Sequence, residues 1–129
     1  MKQLNRNEKQ VMDLLWRSPC PLTSLELSEQ LGEAMSVSYL HKVLTTLKER
    51  GLIGVCGVDL EPRRPTRQFA PLVTKEDYVS ALIAEQGLEE ASLAKIGVAL
   101  VRRAAKDGER KELIAALEKM IEEYKREEM

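Results

Sequence analysis

From Ser36 to Gly51 the chain reads SVSYLHKVLTTLKERG. At about 100° per residue its apolar positions collapse onto one stripe. Leu40, Val43, Leu44 and Leu47 occupy that stripe, and Ser38, Lys42, Thr45 and Glu49 fall on the opposite line. The spacing predicts a helix over 36–50 with one face anchored and the other offered outward. Ser36 is placed to cap its first turn with a hydroxyl, and Gly51 stands where a left-handed C-terminal cap is needed.

Upstream, LNRNEKQVMDLLWRS carries Val11, Leu14 and Leu15 on one helical face, with Met12 and Trp16 at its edges. Asn5 followed by Glu8 has the spacing of a capping box, with Leu4 just outside to staple back onto the first turns. The Pro19-Cys20-Pro21 run ends this helix. Trp16 at this spacing reads as core, supplying apolar area to a chain poor in aromatics. A shorter helix follows in LTSLELSEQLGE, with Thr23 and Glu26 as a second capping box, Leu25, Leu27 and Leu31 on its apolar side and Gly32 as its stop. Two helices joined by a short glycine-containing turn form a helix-turn-helix, in which the second helix lies in the major groove of DNA.

After Gly51 the period changes. Leu52 to Cys56 is rich in β-formers, Gly57 to Thr66 is turn-rich with two prolines, and Arg67 to Ala70 can return as a second strand. A hairpin directly after a helix-turn-helix is a wing, expected here over 57–67. Thr74 then caps a helix whose apolar positions include Tyr78, Val79, Leu82 and Ile83. A second apolar helix runs from about Leu88 to Lys106. Asp107-Gly108 breaks the chain, and a last helix from Glu109 carries Leu113, Ile114, Leu117, Met120, Ile121 and Tyr124 in one stripe. Three helices with this much apolar surface and little sequence to cover it call for burial between two copies. The expected dimerisation residues are Tyr78, Leu82, Ile83, Leu93, Ile96, Leu100, Leu113, Leu117, Met120, Ile121 and Tyr124. A monomeric helical cap folded onto the winged part is the rival arrangement.

The fold class is therefore mainly α with a small β-hairpin. A winged helix-turn-helix domain over 1–73 is followed by a helical dimerisation region over 74–129. Length and composition agree: 129 residues, 43% apolar and 32% charged, describe small soluble helical domains without room for a large catalytic cavity. No run of about eighteen apolar residues and no apolar leader is present, which places the expected location in the cytoplasm. Cys20 and Cys56, with His41 the single histidine, fall short of a closed zinc site and read as free thiols, so no metal and no cofactor is expected. The net charge of −1 hides a gradient. Residues 1–73 hold 10 Lys and Arg against 8 Asp and Glu, net +2, and residues 74–129 hold 10 against 13, net −3. The first part has the sign that a polyanion partner requires.

The residues expected to meet double-stranded DNA follow from this layout. Ser38, Lys42 and Thr45 point furthest from the core, with Ser36, Tyr39, His41 and Thr46 beside them. Thr23 and Ser24 open the second helix, where hydroxyls and bare N–H groups suit a phosphate. Arg63, Arg64 and Arg67 lie on or beside the wing, within reach of phosphate oxygens. Catalysis has little to work with. Ser38 lies one turn before His41, but no third orienting group or oxyanion donor accompanies them. A winged-helix module that binds protein instead of DNA is the alternative, resting on the small excess charge.

Leu4, Glu8, Val11, Met12, Leu15 and Trp16 resemble the opening signature of the penicillinase-repressor family, the BlaI/MecI/CopY winged-helix repressors. The helix ending at Gly51, Leu52-Ile53, Gln68-Phe69 and Leu72-Val73 follow in the same order. The resemblance covers about the first 75 residues well and the remainder by helical pattern and length. It implies a homodimeric repressor whose winged helix reads half of a palindromic operator. Within the family, release comes from a regulatory protease cutting the C-terminal part, or from metal binding to a cysteine cluster. Here Cys56 is the last cysteine and Phe69 the sole phenylalanine, so neither that cluster nor the Asn-Phe cleavage pair is present. Ser38 and His41 stand where the family often places basic residues.

Overall fold

Asn5 and Glu8 close a reciprocal capping box. The Asn5 side chain accepts from the Glu8 N–H at 2.8 Å, and Glu8 Oε1 accepts from the Asn5 N–H at 2.9 Å. Two donors that a helix start leaves bare are thereby satisfied, opening α1, Arg6–Arg17. The structure, a computed structural model, describes residues 2–59, 66–104 and 107–128. Thr23 and Glu26 repeat the box at α2, Ser24–Leu31. A short 3-10 turn at Gly32–Ala34 leads to α3, Val37–Glu49, where Ser36 Oγ accepts from the Tyr39 N–H at 3.2 Å. Thr74 opens α4, Lys75–Ala84, in the same way.

The end of α3 sets the path into the sheet. Gly51 N–H donates to Lys48 O and Leu52 N–H to Leu47 O, both at 3.0 Å. Gly51 holds φ at 74°, a left-handed conformation that a side chain would strain. This double closure turns the chain into β2, Ile53–Asp59, and delivers Leu52 and Ile53 to the interior. Returning as β3, Thr66–Pro71, the chain pairs antiparallel with β2, with Val55 opposite Phe69 and a bulge between Val55 and Gly57. The strands extend to Asp59 and resume at Thr66, so Gly57 to Asp59 and Thr66, expected in the turn-rich stretch, are strand.

A third strand goes beyond the expected hairpin. β1, Leu22–Thr23, lies on the far side of β3, giving the order β1-β3-β2 with Leu22 opposite Phe69. Thr23 thus ends a strand and caps a helix at once. Leu25, expected on the apolar side of α2, is 62% exposed, because Leu27 alone of that helix is buried in the core.

Helices α1, α2 and α3 close over the sheet around Val11, Met12, Leu15, Leu27, Leu40, Val43, Leu44 and Leu47. The apolar stripe of α3 is buried as its period requires, with Leu40 and Leu47 fully enclosed. At about 1.5 to 3 kcal/mol for each fully buried side chain of this size, that stripe holds the helix in place. Trp16 packs against the same core, and its indole N–H donates to Val73 O at 2.9 Å.

The chain divides into two compact units, Met1–Gln86 and Gly87–Met129. By this division α4 lies with the first unit. Tyr78 is the reason. Its ring lies 5.7 Å from that of Trp16, and its hydroxyl accepts from the buried Leu4 N–H at 2.8 Å. Leu82 packs on the same core.

The second unit consists of α5, Glu90–Ala104, and α6, Asp107–Glu128. Gly108 lies inside the first turn of α6 instead of breaking the chain before it. Among the described residues of this unit, no side chain is buried. No helix among the described residues is long and apolar enough to cross a membrane.

Candidate nucleic-acid interface

Because Leu40, Val43, Leu44 and Leu47 fix one face of α3 inward, the positions between them are turned out. Ser36, Ser38, Tyr39, His41, Lys42, Thr45 and Thr46 are all exposed, as are Lys48 and Glu49. The expected reading face is thus continuous on one helix. Its chemistry is more specific than exposure alone conveys. Ser36 is occupied as a cap. The Tyr39 hydroxyl accepts from Asn7 Nδ2 at 3.1 Å, which ties the first turns of α3 to α1. Thr45 Oγ1 donates to His41 O at 2.9 Å and Thr46 Oγ1 to Lys42 O at 3.0 Å.

A groove of about 620 Å³ runs beside this face, lined by Ser24, His41, Leu44, Thr45, Lys48, Glu49, Arg67 and Phe69. It brings the second half of α3, the start of α2 and β3 together. Arg67 is exposed there, on the strand that returns from the wing. Of the two hydroxyl residues opening α2, only Ser24 reaches the groove. Thr23 is 4% exposed and its hydroxyl accepts from the Glu26 N–H at 3.1 Å, so its side chain serves the cap. Arg63 and Arg64 lie outside the described residues.

Sequence spacing does not single out Lys48. It sits in the same helical row as His41 and Leu44, at the border of the buried stripe, where a wheel alone does not show which neighbour it faces. The structure sets it in the groove with Arg67, so two cations line one hollow from different elements. Glu49 lines the same groove and offsets part of their charge.

The residues expected at a dimer interface divide between the units. Tyr78, Leu82 and Ile83 stand on α4 in the first unit, with Tyr78 buried there. In the second unit Leu93, Leu100, Leu117, Met120, Ile121 and Tyr124 are between 38% and 65% exposed, and Ile96 and Leu113 are half-buried. Among the described residues of this unit, nothing covers this apolar surface.

The family model for the penicillinase repressors matches residues 4–123. The chain belongs to the penicillinase repressor family. The match runs through α5 and most of α6, well past the first 75 residues where individual positions carry the resemblance. No curated protein matches the chain. Penicillinase repressors are DNA-binding transcriptional repressors, regulators and not enzymes, and the winged helix with added C-terminal helices is the architecture found here.

Proposed function

We propose that this penicillinase-repressor chain acts as a homodimer on a palindromic operator, with α3 in the major groove, the wing on phosphates and the C-terminal helices joining two copies. The observation that carries the reading is the split character of α3. Leu40, Val43, Leu44 and Leu47 are buried and Ser38, Lys42, Thr45 and Thr46 are exposed, on a helix that follows a short capped helix and precedes a hairpin. Lys42 supplies a cation for a guanine edge or a phosphate, and Ser38 a short hydroxyl for close approach to bases. Arg67 and Lys48 grip the backbone from the flank, with Ser24 beside them, and Arg63 and Arg64 extend that grip along the wing. Leu93, Leu100, Leu117, Ile121 and Tyr124 supply the apolar surface that two copies bury between them.

Selection of bound fragments from the host genome, followed by titration at fixed salt, tests this. Lys42→Ala and Ser38→Ala are expected to weaken specific binding by about 1 to 3 kcal/mol each with the fold intact. Neutralising Arg63 and Arg64 is expected to lower affinity on all sequences and flatten the salt dependence. Absence of salt-sensitive binding to any fragment would instead favour a winged-helix module that docks on protein.

A further inference from the structure

Two hydroxyls of the outward face of α3, those of Thr45 and Thr46, are engaged with the protein itself. A threonine hydroxyl has one proton to donate. Thr45 gives its proton to His41 O and Thr46 gives its proton to Lys42 O, each one turn back along the same helix. Neither is then free to donate to guanine O6 or N7, adenine N7 or thymine O4, the acceptors of the major groove. With each hydroxyl proton given to its own helix, the γ-methyl is the part of the side chain left without a partner in the protein. Thr45 and Thr46, with His41 and Lys42, line one shallow hollow on this face. Val37, in the first turn of the same helix, adds an apolar side chain that is 57% exposed. A surface that presents methyl groups beside a cation fits the one apolar group in the major groove, the 5-methyl of thymine.

We propose that α3 recognises thymine methyl groups through the γ-methyls of Thr45 and Thr46, so that these residues specify thymine by apolar contact and not by hydrogen bonding. This rests on the reading of α3 as a major-groove helix, and the test separates the two. The full-length protein is titrated with its selected operator and with copies in which single thymines are replaced by deoxyuridine. That change deletes the methyl and leaves every hydrogen-bonding group of the base in place. Loss of a methyl-sized apolar contact is expected to weaken binding about fourfold at one or two positions in each half-site. Thr45→Val, which keeps a γ-methyl and removes the hydroxyl, is expected to bind within about twofold of the natural protein and to retain the deoxyuridine penalty. Thr45→Ser, which keeps the hydroxyl and removes the methyl, is expected to lose about fourfold and to become indifferent to deoxyuridine at the paired position.

Specific binding that ignores deoxyuridine at every position would overturn the methyl reading and leave α3 as a DNA-reading helix. A loss of affinity in Thr45→Val with none in Thr45→Ser would overturn it equally. Failure to find any salt-sensitive, sequence-specific binding would overturn the reading of α3 itself. Circular dichroism of each variant, expected to match the natural protein, separates lost contact from lost fold.

Discussion

Arg50 Nη1 donates to both carboxylate oxygens of Glu8 at 3.3 Å, linking the cap residue of α3 to the first turn of α1. Glu8 is 6% exposed and also accepts from the Asn5 N–H, and Arg50 Nη2 donates to the carbonyl of Lys2. One guanidinium therefore fixes the end of α3, the α1 cap and the start of the chain together. Arg50→Ala leaves a mostly buried carboxylate short of its cation and is expected to destabilise the first unit by about 2 kcal/mol, the range for a hydrogen bond to a charged group. Arg50→Lys should recover only part of that, since an ammonium lacks the planar fork that spans both partners. Urea denaturation of the two variants checks the order. Equal stability of Arg50→Ala and the natural protein would remove the ion pair from its structural role.

Lys48 and Arg67 line one groove beside α3. If each neutralises one phosphate, removing either should reduce the slope of log affinity against log salt by about 0.9. The loss should be similar on operator and non-operator DNA, because a phosphate carries no sequence information. Titrations at several salt concentrations with Lys48→Ala and Arg67→Ala check this, and an unchanged slope in both would free the groove from backbone contact.

Tyr78 joins α4 to the beginning of the chain through Leu4. Tyr78→Phe keeps the ring and strands a buried N–H, with an expected loss of about 1 to 3 kcal/mol. A fragment ending after Gln86 should unfold cooperatively with heat, whereas one ending after Val73 should melt lower or lack a transition, having lost Tyr78 and Leu82 from the core. Comparable melting of the two fragments would return α4 to the second unit.

Much of this architecture is legible in the sequence because it depends on short-range chemistry. The caps at Asn5, Thr23, Ser36 and Thr74 are set by residues within one turn, and the buried stripe of α3 by its own period. The features that escape a sequence reading are those fixed across the fold. β1 has two residues, too few to show a period, and exists because Phe69 and Gln68 lie opposite it. Leu25 fits a helical stripe but finds no core on its side. The allegiance of α4 rests on a hydrogen bond between Tyr78 and Leu4, and no local pattern encodes a bond across that separation. At the candidate site, exposure of the outward face of α3 is legible from spacing. The commitment of the Thr45 and Thr46 hydroxyls is not, because it depends on rotamers.

Ile121 and Leu117 lie on the exposed apolar surface of α6. A charge there should be neutral for an isolated helix and disruptive for an interface. Ile121→Asp is expected to convert a dimer into a monomer in sedimentation and to lower operator affinity well beyond the loss of any single DNA contact. A natural protein that sediments as a monomer at micromolar concentration would remove the helices from this role.

A unit in which no described side chain is buried has no interior of its own to hold it together. If a second copy supplies that interior, the order of the last forty or so residues becomes a bimolecular equilibrium, with a midpoint that shifts with protein concentration. The amount of protein present then sets two quantities at once, the fraction of chains with an ordered second half and the fraction able to span both arms of an operator. Dilution alone would act on both, so occupancy of the DNA should fall more steeply than in proportion to the number of chains.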